Sequence, residues 1–196
     1  LRLLNEVSQK NTTLNKLHDI ISTDVATSYK LLRFLNSAYF YRLQEVKTIK
    51  HAIAYLGEKE LRRFILLVII SELASEHPGE LVRLVLIRAK LCELLGLASP
   101  HAEKAEQLFI TGLFSALDRM LNTPMKQVME KLPMSPDIRE ALVDKRGVLA
   151  GFLSTAIAFE RNKKEIIKKN VVKLGIAPGN LKEIYLTALK YANGVM

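Results

Sequence analysis

Residues 58–72 read E-K-E-L-R-R-F-I-L-L-V-I-I-S-E and contain the longest apolar run of the chain, at residues 64–70. A run of this length fits either a buried strand or part of a buried helix. The flanking residues favour the helix, because E-K-E-L-R-R leads into the run without a turn signal and S-E-L-A-S-E continues in the same style. A bilayer span needs about 20 apolar residues, so the run predicts a core helix and no membrane insertion.

Helical spacing of apolar residues continues on both sides of this segment. Before it, the pattern predicts helices over residues 24–36 and 49–56, the second ending at Gly57. After it, the predicted helices cover residues 78–95, 102–121, 147–161, 163–173 and 178–192, with short helices after Pro124 and after Ser135, which is expected to act as an N-cap. No hairpin signal and no repeat of fixed period occurs. The sequence therefore predicts an all-α fold, a compact orthogonal helical bundle.

Length and composition fit one globular unit. The chain has 196 residues, of which 49% are hydrophobic and 25% charged, as in ordinary globular domains. Pro133 and Pro136 predict a soft boundary between a main bundle at about residues 1–132 and a C-terminal helical subdomain at about residues 133–196. Because the sequence opens on Leu1 without an initiator Met, we expect a fragment of a longer protein.

The cysteine count bears on redox chemistry and on the compartment. Cys92 is the single cysteine, which excludes an internal disulfide and a C-x-x-C metal or redox site. Its neighbours Leu91, Leu94 and Leu95 form an apolar setting that raises a thiol pKa, so we interpret Cys92 as a packing residue. A lone thiol fits a reducing compartment, and we expect a cytoplasmic protein.

The chain is basic, with 29 Lys and Arg against 20 Asp and Glu, a net charge of +9. Such an excess favours encounter with nucleic acid, an anionic membrane or an acidic protein, and does not distinguish among them. The densest stretch is residues 161–173, whose lysines form either a solvated helix face or a docking face for an acidic partner. These lysines, called here the basic face, are Lys163, Lys164, Lys168, Lys169 and Lys173. Nucleic-acid binding rests on charge alone, because no aromatic residues interleave with the lysines.

Motifs for catalysis are weak or missing. The adjacent pair His18-Asp19 is typical of a metal-dependent phosphohydrolase superfamily, but no upstream histidine accompanies it. His51, His77 and His101 form no H-E-x-x-H arrangement. The sequence also lacks the G-x-S-x-G, P-loop and G-x-G-x-x-G motifs. We therefore predict no catalytic residue, no metal ligand and no cofactor.

Two sets of motifs identify a family. The first comprises L-L-R-x-x-N-S-A-Y-F at residues 31–40, I-x-x-A-I-x-x-L-G at residues 49–57 and L-R-R at residues 61–63. Together they resemble the HDOD family, the HD-related output domains of bacterial signalling proteins. The second set, at residues 80–95, 112–118 and 132–142, is similar to the HDOD half of bacterial EAL–HDOD proteins. The resemblance implies an all-α scaffold related to the HD phosphohydrolase superfamily, and an EAL domain preceding it that hydrolyses or senses cyclic di-GMP.

The resemblance also locates a degenerate metal site. A catalytic HD domain would carry Gly-Leu-Leu-His-Asp where this chain has G-L-F-S-A at residues 112–116. The histidine position is Ser115, the aspartate position is Ala116, and the upstream histidine position falls near Leu84. These side chains cannot replace two imidazoles and a carboxylate around a divalent cation. The implied scaffold is therefore without a catalytic metal site and is not an enzyme.

The resemblance suggests two further groups of residues. The degenerate HD site is expected either to persist as a ligand or partner cleft or to have filled with side chains; its residues are Leu84, Arg88, Ser115, Ala116 and Asp118. The family-motif residues Arg33, Asn36 and Ser37 are expected to be structural, closing one helix and fixing the turn to the next.

Three functions remain open. The first is a non-catalytic signal-transduction output and interaction module that acts on a protein partner or a neighbouring EAL-type domain. The second is a nucleic-acid or anionic-surface binding module. The third is a metal-dependent HD phosphohydrolase with an unorthodox site.

Overall fold

The structure, a computed structural model, describes residues 49–73, 78–132 and 134–195 together with the positions 13, 16, 19, 21–23 and 31. Within these residues all the regular elements are helical, which confirms the predicted all-α class. The α-helices are α1 (Ile49–Leu73), α2 (Pro78–Leu97), α3 (Ala105–Phe114), α4 (Leu117–Met120), α5 (Met125–Glu130), α6 (Pro136–Arg139), α7 (Gly147–Glu160), α8 (Lys164–Lys173) and α9 (Leu181–Val195). Short 3₁₀ turns at Ala102–Lys104 and Pro178–Asn180 and a π-helical turn at Glu140–Asp144 complete the described elements.

Helix α1 contains the longest apolar run of the chain, residues 64–70. Residues 64–70 are all buried, so the predicted core helix is confirmed. The helix bends sharply at Gly57, where φ is 69° and ψ is 173°. A positive φ is costly for residues with a Cβ and free for glycine. The bend at Gly57 therefore lies where the sequence predicted the end of the helix at residues 49–56.

Helix α2 is the centre of the described bundle, and α3, α9, α7 and α1 pack against it. Its contact with α3 is close enough to bring the two backbones together at Gly112. A Cβ at Gly112 would lie 2.6 Å from the Cα of Ala89, far inside van der Waals contact. Glycine is thus required by space at this crossing, which brings the C-terminal end of α3 next to Arg88 of α2.

The single helix predicted over residues 102–121 is wrong. Helix α3 ends at Phe114, and Ser115 turns back, its Oγ donating to the carbonyl of Gly112 at 2.7 Å. Ala116 then leaves helical geometry with φ −130°, and α4 starts at the next residue. A serine hydroxyl that bonds a nearby carbonyl competes with the helical ladder, and this ends α3.

Other predictions have different outcomes. Ser135 precedes α6 in extended backbone, but its buried Oγ has no hydrogen-bond partner among the described residues, so the predicted N-cap bond is not formed. Arg33, Asn36, Ser37 and most of the helix predicted at residues 24–36 lie outside the described residues. The boundary near residue 132 stays a prediction. No helix in the described ranges is both long enough and apolar enough to cross a bilayer.

Candidate functional site

Arg88 and Ser115 of the predicted degenerate HD site belong to a largely buried cluster, in which an ion pair and a hydrogen bond link three helices. Arg88 lies on α2, Ser115 follows α3, and Glu160 is the last residue of α7. The guanidinium donates from Nε to Oε1 of Glu160 at 2.6 Å and from Nη2 to Oε2 at 2.8 Å. Its Nη1 donates to Oγ of Ser115 at 3.1 Å. A two-pronged bond between guanidinium and carboxylate is the strongest and most directional form of this contact.

Burial sets the electrostatic character of this cluster. The side chains of Arg88 and Glu160 are 6% and 17% exposed. Cys92 lies one turn further along α2 and is fully buried. Burial raises the pKa of the Cys92 thiol to about 12, with Arg88 lowering it and Glu160 raising it. The thiol therefore stays protonated and serves as a packing group, in line with its apolar sequence setting.

The remaining members of the degenerate HD site do not take part in the ion pair's described bonds. Ala116 is fully buried. Leu84 is half-buried and packs against the core. Asp118 is half-buried at the start of α4, where its backbone carbonyl accepts from the amide of Thr123 at 3.0 Å. The ligand or partner cleft expected at these residues stays a prediction.

Glu160 was not among the residues predicted from the sequence. Its signal was available, because Glu160 is the single charged residue of residues 147–160, G-V-L-A-G-F-L-S-T-A-I-A-F-E. A carboxylate on an otherwise apolar, buried helix needs a partner in the folded state. The identity of that partner follows from the fold, since Arg88 lies 72 residues earlier in the chain.

The residues at the implied metal positions do not fit a divalent cation. The Ser115 hydroxyl is engaged with the Gly112 carbonyl and with Arg88. The Ala116 side chain has no atom that could ligate a metal, and the Arg88 guanidinium places a permanent positive charge beside Ser115. Within the described ranges no three His, Cys, Asp or Glu side chains come together in a group that could hold a metal ion.

Of the four histidines, His101 is the one whose side chain lies within the described residues. His101 precedes the first 3₁₀ turn, and its ring packs edge-on against Phe152 with centroids 5.9 Å apart. His18 and His77 lie outside the described residues, and so does the side chain of His51.

A second buried charge cluster holds α1 to α2. Arg63 donates to Glu93 at 2.6 Å and to Glu60 at 3.1 Å, and its guanidinium lies 4.2 Å from the ring centroid of Phe109. Lys90 donates to the other oxygen of Glu93 at 2.9 Å. Burial alone would raise the pKa of Glu93, but the attraction and hydrogen bonds of Arg63 and Lys90 outweigh it and lower that pKa. The Nε of Arg63 has no partner among the described residues. Since its contacts link helices, we interpret this cluster as structural.

The basic face lies on α8 and the turn before it. All the lysines that define it are exposed: Lys163, Lys164, Lys168, Lys169 and Lys173. The opposite side of α8 packs on α7, where Val171 is buried, and Leu174 just after the helix is buried too. An ion pair joins Lys168 to Glu165 at 3.4 Å, with both side chains largely in solvent. The docking role expected for these exposed lysines stays a prediction.

Comparison with known proteins gives concordant results. A family model described as HDOD domain matches residues 1–142. The chain is 30% identical over 195 residues to a Vibrio cholerae protein named cyclic di-GMP phosphodiesterase CdgJ, covering 100% of this chain and 45% of that protein. It is 29% identical over 199 residues to the uncharacterized protein YuxH of Bacillus subtilis, covering 99% of this chain and 47% of that protein. The chain thus spans less than half the length of these curated relatives.

One solved structure is also similar. It is the crystal structure of an HDOD domain protein of unknown function from Geobacter sulfurreducens, with a TM-score of 0.48 and 13% identity, covering 98% of this chain and 69% of that one.

Proposed function

The chain belongs to the HDOD domain family, and from this premise we propose that it is a non-catalytic interaction module of a signal-transduction protein. Its partner in this proposal is an EAL-type, cyclic di-GMP-linked domain that lies outside residues 1–196. The module passes a signalling state between domains by contact and carries out no chemistry itself.

The observation that carries the proposal is the ion pair in the degenerate HD site. Hydrolysis by an HD domain needs a cation that lowers the pKa of a bound water. At the positions where the resemblance implies that cation, this chain places the Arg88 guanidinium against Ser115 and neutralises it with Glu160. A divalent cation there would have to displace a buried guanidinium and be held by a hydroxyl already in use. The arrangement favours a scaffold that keeps its shape without metal.

The Vibrio cholerae relative is named a phosphodiesterase, and this chain covers 45% of it. In our proposal the activity in that name belongs to the part of the relative that this chain does not match. The matched part then contributes contact or regulation.

A hydrolysis assay tests the non-catalytic half of the proposal. The purified chain is incubated with Mn²⁺ and either cyclic di-GMP or bis(p-nitrophenyl) phosphate, with and without a chelator. We expect no hydrolysis above a protein-free control. Hydrolysis that is abolished by chelator and by Ser115→Ala, and retained in the exposed control variant Lys126→Ala, would contradict the proposal.

The coupling half is tested on the full-length gene product. We expect its sequence to contain an EAL-type domain and its rate of cyclic di-GMP hydrolysis or its affinity for that nucleotide to change when residues 1–196 are deleted. The coupling would be contradicted if the gene product contained no EAL-type domain, or if deleting residues 1–196 changed neither the hydrolysis nor the binding of cyclic di-GMP. Either result would leave the hydrolysis assay unaffected.

A further inference from the structure

An apolar side chain is exposed to solvent within the basic face, near the C-terminal end of α8. Val172 is 82% exposed, whereas the other exposed large hydrophobic side chains among the described residues are 38% to 54% exposed. It lies on α8 three and four residues after Lys169 and Lys168 and next to Lys173. Residues three and four apart share one face of a helix. Val172 therefore shares the outer side of α8 with Lys168 and Lys169, and Lys173 is its neighbour in the chain.

This outer side is distinct from the side that holds α8 to the protein. Val171 and Leu174 are buried on the inner side, which packs on α7. The helix thus does not need Val172 for its own packing. We define the α8 outer face by the residues Glu165, Lys168, Lys169, Val172 and Lys173.

We propose that the α8 outer face docks on an acidic surface of a neighbouring domain in the same polypeptide, with Val172 entering a small apolar recess surrounded by carboxylates. The inference rests on the proposed function and adds to it the residues and chemistry of the contact. The lysines steer the approach of an acidic surface, and the apolar contact at Val172 stabilises the docked state.

The composition of the face favours a protein over nucleic acid. A phosphate backbone offers nothing apolar for Val172. The stretch at residues 164–173 contains no arginine and no aromatic residue. Arginine binds phosphate through two parallel hydrogen bonds, and aromatic side chains stack on bases.

The geometry also disfavours a lipid surface. A membrane-bound amphipathic helix inserts its whole apolar face below the headgroups. In α8 that apolar face is already packed on α7, and the exposed apolar side chains, Val172 at 82% and Ile166 at 44%, lie six residues apart and form no continuous apolar face. The curated relatives are long enough to contain a neighbouring domain, because more than half of each lies outside the part matched by this chain.

Thiol labelling of the full-length gene product tests the contact. Native Cys92 is fully buried, with a pKa of about 12, so a cysteine introduced by Val172→Cys is the exposed thiol of this chain. The matched control is Lys126→Cys, at an exposed position on α5. Maleimide labelling at each position is read by peptide mass spectrometry, and each rate is divided by the rate of the same variant unfolded in urea.

We expect the normalised rate at position 172 to be about tenfold slower than at position 126, because labelling follows the undocked fraction when undocking is fast. Adding Lys168→Glu and Lys169→Glu, or 0.5 M salt, is expected to bring the rate at position 172 up to that of the control, since screened or reversed charges cannot hold an acidic surface. Both lysines are exposed, so the fold tolerates their reversal.

Four outcomes would overturn the proposal. The first is equal normalised rates at positions 172 and 126. The second is protection that survives charge reversal. The third is protection that vanishes on dilution, which indicates a second copy of the chain. The fourth is protection that arises when phosphatidylserine vesicles or duplex DNA are added, which assigns the face to a phosphate-bearing surface. Each of these leaves the hydrolysis test of the proposed function standing.

Discussion

Removing the charge of Glu160 should destabilise the protein strongly. Glu160→Gln keeps nearly the same volume but leaves the Arg88 guanidinium, 6% exposed, without its compensating carboxylate. Breaking a buried pair from one side costs about 3–5 kcal/mol, because the remaining charge is buried and uncompensated. Glutamine still offers one carbonyl oxygen to the guanidinium, and Glu160 is itself 17% exposed. We therefore expect a loss at the lower end, about 3 kcal/mol, out of a typical total of about 5–15 kcal/mol.

The same reasoning predicts recovery in a double variant. Arg88→Met with Glu160→Leu removes both charges and fills the space with apolar groups. Apolar replacement of a whole buried ion pair is commonly neutral or stabilising, so the double variant should lie within about 1 kcal/mol of the natural protein. The matched control is Glu165→Gln, which breaks the exposed pair with Lys168 and should change stability by less than about 0.5 kcal/mol.

Urea unfolding followed by far-ultraviolet circular dichroism measures these changes. The helical signal is strong, and the absence of tryptophan from the sequence makes fluorescence less suitable. A loss below about 1 kcal/mol for Glu160→Gln, or a double variant as unstable as the single one, would refute the view that this ion pair is a desolvated link among α2, α3 and α7.

Three other predictions concern packing, thiol reactivity and pH. Gly112→Ala places a methyl group 2.6 Å from the Ala89 Cα and should lower the free energy of unfolding in urea by about 1–3 kcal/mol. The control Gly79→Ala, whose added methyl group has no atom within 4 Å, should be neutral or stabilising, and equal effects of the two variants would contradict the close helix crossing. Cys92 should resist a thiol reagent at pH 8 in the native chain and react in urea, because burial raises its pKa to about 12; rapid native labelling would argue against its burial. The pKa of Glu93 is lowered from 4.5, so its contribution to stability is present above pH 4.5 and is lost as the pH falls through the folded-state pKa. The urea midpoint of the natural chain should fall over that pH range, and an equally steep fall in Glu93→Gln would show that Glu93 is not the cause.

Most of the helices could be predicted from the spacing of apolar residues. The core helix at residues 64–70 and the break at Gly57 follow from local patterns that the fold leaves unchanged. The end of α3 at Phe114 could not be read in this way. Residues 102–121 keep a helical apolar pattern, and the Ser115 hydroxyl bond to Gly112 that interrupts it is an alternative the pattern does not encode.

Part of the candidate site could be reached from the sequence. The resemblance implies that Ser115 and Ala116 occupy metal positions of an HD domain, and in the structure a direct hydrogen bond joins Arg88 to Ser115. Glu160 escaped prediction because its partner is 72 residues away, and sequence spacing carries no information about such a pairing. The lone charge in an apolar helix is the signal that would have led to it. Val172 was not singled out, although the apolar spacing at residues 166/167, 171 and 174 leaves position 172 off the buried side of the helix.

The measurement that tests the central claim most directly is the metal content of the folded chain after exposure to excess Mn²⁺. The chain is dialysed with the metal, passed through gel filtration and analysed by inductively coupled plasma mass spectrometry. With a neutralised guanidinium standing at the implied metal positions, the account predicts a Mn²⁺ content far below one ion per chain. A content of one or two tightly held ions per chain, lost when Ser115 or Asp118 is replaced, would contradict the account and favour the alternative of a metal-dependent enzyme.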